Sequence, residues 1–300
     1  MVMQRNKTQP SRYRHPELPL KWQENQATRH PRKVLVTGAT GKLGVHVCRA
    51  LIDAGFSVRA ADKSDRRRRQ LPISLELADL LDRNSCYRLV AAADAVVHLA
   101  NYSDMVIKDA QKIFNENVTV NMNVFQAAQE TGVKTIIFSS SIQVLGGRGY
   151  LPYLPLDGDA PASPDNAYAL SKLVGEIMLQ YFARAHMNCI AVRFPWLIDP
   201  VKRKRHRYKG ADATRSDAGV FSYLSFRDAA DLIVAIVRTS LPGFRIYMPA
   251  HPNNRLGLAT ADVIKRYYPT VFLRCPLKEI NALVDISRIE AETGWCPTRL

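Results

Sequence analysis

An α/β fold built on a doubly wound parallel sheet is what this chain predicts, on three observations. A short apolar run at 34–36 opens into a glycine-rich turn and then a helix-period segment. Strand-like apolar runs alternate with helix-length segments thereafter, and the alternation breaks only after Pro195. Strands separated by helices of that length imply right-handed parallel crossovers. Three hundred residues, 47% of them hydrophobic, suffice for one large α/β domain with a smaller lobe, and the same figures exclude a disordered or fibrous chain.

The elements follow in order. Val34, Leu35 and Val36 form the first strand, and Leu43, Val47, Ala50, Leu51 and Ala54 recur at helical spacing until Gly55 closes the helix. Strands are expected at 57–61, 73–77, 94–100, 135–139 and 189–194, with helices at 83–92, 105–130 and 166–186 between them. After a basic, glycine-containing loop come a helix over 227–239, a strand at 244–248 and one or two C-terminal helices. The expected organisation is a flexible basic arm at 1–32, a dinucleotide-binding domain at 33–196 to which 220–248 returns, and a small C-terminal substrate-binding lobe from 197–219 and 249–300.

The net charge of +15 is unevenly placed. Residues 1–33 carry eight Lys and Arg against Glu17 and Glu24, residues 62–69 a net +3, and residues 201–216 seven Lys and Arg against Asp212, which together hold the whole excess. A neutral body with a basic arm and two basic loops is the pattern, rather than a nucleic-acid-binding face. No apolar run reaches the roughly eighteen residues of a membrane span, and no secretory leader is evident near the N-terminus, so a soluble cytoplasmic protein is expected. Five scattered cysteines without a C-x-x-C pair are expected to be reduced structural thiols, with no metal site.

Chemistry enters with Gly38, Gly41 and Gly44 between strand and helix, where small residues let the Thr40 to Leu43 backbone approach a pyrophosphate at a helix N-terminus. Asp62, about twenty residues on, stands where a carboxylate accepts the adenosine ribose hydroxyls, which favours NAD. Lys63 and Arg66 to Arg69 beside it leave a 2′-phosphate, hence NADP, as the alternative. Tyr168 and Lys172 are four residues apart, on one face of a helix, where an ammonium lowers a phenol's pKa. Ser139, Ser140 and Ser141 end a predicted strand at the edge where open α/β sheets bind ligands. A hydroxyl there holds a substrate oxygen while the phenol moves its proton and a nicotinamide exchanges a hydride.

With these motifs in place, the chain resembles the extended short-chain dehydrogenase/reductases of the NAD-dependent epimerase/dehydratase type, over residues 33–300. Thr37 to Gly44 matches T-G-x-x-G-x-x-G, Asp79-Leu80 the element beside the adenine, and His98-Leu99-Ala100 the strand end along the dinucleotide. Asn117-Val118, six residues before Asn123-Val124, resembles the helix whose Asn buttresses the site, and Phe138 to Gly146 the F-S-S-S-x-x-V-x-G segment. Arg227-Asp228-Ala229 and Gly294 to Pro297 resemble late landmarks. The resemblance implies a Rossmann-type fold, Ser141, Tyr168 and Lys172 as catalytic residues, with Tyr168 and Lys172 also at the cofactor and Lys172 a ligand of its ribose, and a homodimer through the helices at 105–130 and 166–186. It also implies that Lys42, Lys63, Ser139, Phe194 and Pro195 join the glycine turn, Asp62 and the segments above around the cofactor, and that Asn101, Gln143, Ser141 and Tyr168 meet the substrate.

The substrate expected is a small sugar-like molecule, and the basic 201–216 loop, where the family's substrate lobe begins, suits a phosphate or carboxylate on it. Arg193 is followed by Phe194-Pro195-Trp196 where many nucleotide-sugar members carry Asn, and Leu145 stands for a common tyrosine, which argues against a UDP-sugar. The Ser140 to Gln143 segment is similar to that of sugar and uronate dehydrogenases. The functions in play are an NAD(P)-dependent oxidoreductase or epimerase acting on a hydroxyl-bearing carbon of a sugar or nucleotide-sugar-like substrate, a sugar or uronate dehydrogenase releasing NADH, and a catalytically silent dinucleotide-binding regulator with a polyanion-binding arm.

Overall fold

The computed structural model describes residues 33–103, 109–146, 151–199 and 220–298. The basic arm and the 201–216 loop lie outside the described residues, as does the expected start of the helix at 105. Seven parallel strands stand in the order β3-β2-β1-β4-β5-β6-β9. They are β1 (Lys33–Thr37), β2 (Ser57–Asp62), β3 (Leu75–Leu77), β4 (Ala95–His98), β5 (Thr135–Ser141), β6 (Asn188–Phe194) and β9 (Gly243–Tyr247). The helices are α1 (Lys42–Asp53), α2 (Arg83–Val90), α3 (Ala110–Glu130), α4 (Ala167–Phe182), α5 (Phe226–Arg238), α6 (Thr260–Tyr267) and α7 (Ser287–Thr293).

Period-two alternation in the strands decides which layer each side chain feeds. Val34, Val36, Ile190 and Val192 face α1 and α5 in one buried cluster. Leu35, Val96, Ile136 and Phe138 face α2, α3 and α4 in the other. Phe138 is central to the second layer: it is fully buried and meets Phe125 edge-on with ring centroids 5.6 Å apart. Its truncation to Ala would cost about 3–5 kcal/mol. Gly175 lets α4 sit this close, since a Cβ there would lie 2.6 Å from the Phe138 ring.

Strand order reverses between β1 and β4, whose ends register as Thr37 against His98, with Thr37 also against Ala61 of β2. A crevice opens at that point, beyond the carboxyl ends of the strands. A third cluster, with Leu154, Leu156, Phe221, Val263, Ile264 and Leu283, forms the small lobe. Backbone bonds from the Leu154 and Leu156 amides to the Phe272 and Leu283 carbonyls, each 2.9 Å, lace the lobe together. Residues 151–160 therefore pack with the C-terminal segments.

Some elements differ from expectation. A two-stranded parallel pair, β7 (Trp196–Ile198) and β8 (Tyr223–Ser225), follows Pro195, each strand too short to show a period. β4 stops at His98 rather than at 100, whereas β5 runs on to Ser141, paired to Phe194. The expected 166–186 helix ends at Phe182, with His186 left-handed beyond it. Among the described residues no helix is long and apolar enough to cross a membrane, and no cluster of His, Cys, Asp and Glu is placed to hold a metal. Cys48, Cys86 and Cys189 are free and buried, and burial pushes their thiols up to about 12.

Candidate active site

A cleft of about 870 Å³ lies over the β1/β4 reversal and gathers most residues singled out in the sequence. The glycine turn forms one end. Gly38 has a φ of +68°, and a Cβ on it would lie 2.8 Å from the Ala100 nitrogen. A Cβ on Gly44 would come 2.3 Å from the Gly38 carbonyl oxygen. These two glycines are required by the turn's own packing. Gly41 is different: a Cβ there meets only the Gly38 oxygen, at 3.0 Å. Gly41 is also the N-cap of α1, no side chain caps the helix, and its first turn holds no acid. Uncapped amides at a helix N-terminus on a cleft wall fit a diphosphate.

Asp62 ends β2 on the same wall, yet its carboxylate is partly engaged. One oxygen accepts from the Thr40 amide at 3.0 Å and the Thr40 hydroxyl at 2.8 Å, the other from the Ser64 amide at 3.1 Å. Each oxygen keeps acceptor capacity for a ribose hydroxyl. Arg66 and Arg67 also line the cleft, Arg67 donating to the Thr40 carbonyl at 3.0 Å, and the Lys63 ammonium lies 3.9 Å from the Tyr102 ring centroid. Asp79 and Leu80 form the adjoining wall, where Asn123 donates to the Leu80 carbonyl at 2.9 Å. Thr40, Lys42, Leu43, Leu99, Ala100, Phe194 and Pro195 line the cleft as expected.

Alternation along β5 splits the three serines. The Ser139 carbonyl accepts from the Lys172 ammonium at 2.6 Å, and the Ser140 hydroxyl donates to Glu176 at 2.6 Å. The Ser141 hydroxyl accepts the Gln143 amide at 3.2 Å, capping the short 3₁₀ turn Ile142–Leu145, and both residues line the cleft. Tyr168 lines it as well. Lys172 stands one turn below, its Nζ 5.5 Å from the Tyr168 ring centroid and 4.9 Å from that of Phe138. Burial draws the ammonium down to about 7, against the opposing pull of Glu176.

Two asparagines that line the cleft also brace the groups around it. The Asn117 side chain accepts the Tyr102 amide at 2.7 Å and donates to the Tyr102 carbonyl and the Ser171 hydroxyl, both at 3.0 Å. It buttresses the 101–103 loop against α4. Asn101, expected to meet substrate, lines the cleft and also turns its amide oxygen to Lys172 at 2.8 Å.

Beneath these groups lie two networks that sequence spacing did not announce. Arg193 donates to both Glu176 oxygens, at 2.9 and 2.8 Å, and to the Ala160 carbonyl at 2.7 Å. His98, wholly buried, sits between Thr37 at 2.7 Å and Asn121 at 3.0 Å, and burial drives its ring down to about 3. Trp196, Ser222 and Phe226 add an unforeseen wall from the β7/β8 side.

The NAD dependent epimerase/dehydratase family matches residues 34–212, more than half of the chain. The chain belongs to that family. A uronate dehydrogenase of Agrobacterium fabrum is 33% identical over 225 residues, covering 74% of this chain and 78% of that protein. A UDP-glucose 4-epimerase of Azospirillum brasilense is 35% identical over 182 residues, and a uronate dehydrogenase of Pseudomonas syringae 30% identical over 167. The matched stretches span only 50% and 58% of those two proteins. Among solved structures, a UDP-galactose 4-epimerase superposes with a TM-score of 0.61 at 25% identity, over 89% of this chain and 94% of the other. The uronate dehydrogenase of Agrobacterium tumefaciens superposes at 0.62 and 24% identity, over 89% and 85%, a likeness of fold.

Proposed function

We propose that this chain is an NAD-dependent oxidoreductase acting on a hydroxyl-bearing carbon of a sugar-like substrate, with a uronate as the favoured substrate. The observation that carries the reading is that Tyr168 and Ser141 both line the cleft that begins at the uncapped N-terminus of α1, with the Lys172 ammonium buried behind the phenol, 5.5 Å from its ring centroid. NAD, when bound, supplies the acceptor for a hydride. The remaining work belongs to the chain. Ser141 steadies the substrate oxygen through its hydroxyl, and Tyr168 takes that oxygen's proton as general base, a contribution of about 10²–10⁴-fold in rate. Lys172 holds a positive charge beside the phenol, which favours the phenolate needed to accept a proton.

The uronate reading rests on two supports. The match to a uronate dehydrogenase extends over three-quarters of both chains. Pro195 and Trp196 occupy the wall where a nucleotide-sugar member would carry its Asn. The proposal places the protein in the cytoplasm and pairs it as a homodimer through α3 and α4, where Met122, Leu170, Ile177 and Tyr181 are exposed apolar residues. The test is a panel of uronates, neutral aldoses and UDP-sugars incubated with NAD or NADP, read by absorbance of the reduced cofactor. NADH that accumulates in proportion to uronate supports the reading. Interconversion of UDP-sugar epimers without net NADH moves the assignment to an epimerase.

A further inference from the structure

An ammonium has three N–H donors. On Lys172 two are committed, to the Asn101 amide oxygen at 2.8 Å and the Ser139 carbonyl at 2.6 Å. Asn101 is itself held, its amide nitrogen donating to the Ala100 carbonyl at 2.7 Å and to the Asn121 amide oxygen at 2.9 Å. That Asn121 oxygen also meets His98 Nε2 at 3.0 Å. An oxygen can only accept, so Nε2 carries the histidine proton and Nδ1 accepts from the Thr37 hydroxyl at 2.7 Å. One line of side chains thus runs from the end of β1 through His98, Asn121 and Asn101 to the ammonium.

This arrangement bears on charge. Lys172 is 2% exposed, and burial disfavours its ammonium. The charged groups around it do little to restore the balance. Glu176 on α4 is neutralised by Arg193 of β6, His98 of β4 is an uncharged ring, and Glu116 of α3 lies 3.7 Å from Lys112. Favouring the ammonium are the pull of Glu176, already shared with Arg193, the Phe138 ring 4.9 Å away and two acceptor dipoles at hydrogen-bond distance, of which Asn101 supplies one.

We propose that Asn101 is a positioning residue that fixes the Lys172 side chain and keeps it charged beside Tyr168, rather than a contact to substrate. The inference rests on the reading of Tyr168 and Lys172 as an acid/base pair. Its test is chosen to need neither cofactor nor substrate. Asn101→Leu removes the acceptor while filling its volume, so that water cannot replace it. The Tyr168 phenol is titrated by ultraviolet difference absorbance, each protein being compared with its own Tyr168→Phe counterpart. Burial pushes Tyr153, Tyr247 and Tyr268 upward, out of the window in which an activated phenol titrates.

The expected result is a Tyr168 titration that moves upward by about one pH unit in Asn101→Leu. Thermal unfolding checks that the variant folds, and Asn101→Ala carries the same test if it does not, with a shift in the same direction. A titration that stays in place overturns the proposal, and a raised KM for glucuronate with that unmoved titration assigns Asn101 to the substrate. A Tyr168 phenol that titrates at the ordinary tyrosine value in the wild-type protein overturns the acid/base reading as well, which keeps the two failures apart.

Discussion

Glu176 receives Nε and Nη2 of Arg193 at 2.9 and 2.8 Å, with both side chains almost wholly buried one turn beyond Lys172. Arg193 also reaches the Ala160 carbonyl at 2.7 Å, so the pair ties α4 to the segment that enters the small lobe. Breaking a buried pair from one side leaves an unpaired charge, which costs about 3–5 kcal/mol. Glu176→Gln is therefore expected to lower the melting temperature by roughly 10 °C, measured by calorimetry. Ser140→Ala, which removes only the third bond to Glu176, is expected to cost about 1 kcal/mol.

The glycine turn separates folding from binding. Gly44→Ala places a Cβ against backbone that cannot yield, and is expected to destabilise the fold. Gly41→Ala meets a single carbonyl oxygen at 3.0 Å and is expected to fold almost normally while weakening NAD about tenfold or more. Melting curves and fluorescence titration of NAD in the two variants test the distinction. Equal losses of stability would contradict it.

Cofactor choice turns on Asp62 against Arg66 and Arg67. The carboxylate at the end of β2 favours a ribose hydroxyl and repels a 2′-phosphate, so NAD is expected to bind more tightly than NADP. Asp62→Asn is expected to narrow that preference by about tenfold, and Arg67→Ala to weaken NADP more than NAD. Titrations of both nucleotides against each variant give the ratios.

His98 predicts a pH dependence of stability. Its folded-state pKa of about 3 lies below the ordinary 6.5, so the unfolded chain binds the proton first. This ring's contribution to stability is complete above pH 6.5 and falls as pH drops toward 3. The loss amounts to something on the order of 4 kcal/mol. His98→Gln, which removes the titration, is expected to flatten that part of the stability curve in urea melts between pH 7 and 4, and an unchanged slope would contradict the assignment.

Much of the fold was legible because its signals are local. The glycine turn, the apolar strand runs and the Tyr168–Lys172 spacing each depend on residues within a turn or two, and they fall where expected except for strand ends that shift by up to two residues. The β7/β8 pair escaped because three-residue strands carry no period. The role of each serine needed the pleat of β5, which extends two residues past the expected end. Asn101 and Lys172 are 71 residues apart, and Glu176 and Arg193 meet only because α4 packs over β6. No spacing rule reaches such pairs, since they are set by the layering of helices on the sheet. Asp62 was legible as a carboxylate at the strand end, but not as a partner of Thr40, which is a property of the folded turn.

On the proposed mechanism the Tyr168 phenol moves the proton while the cleft holds the dinucleotide independently of it. Tyr168→Phe, assayed for NADH formation from uronates alongside NAD affinity by fluorescence, tests this most directly. The account predicts an unchanged Kd for NAD and a fall in turnover of about 10²-fold or more. Turnover retained by Tyr168→Phe, or failure of the wild-type protein to bind NAD, would contradict it.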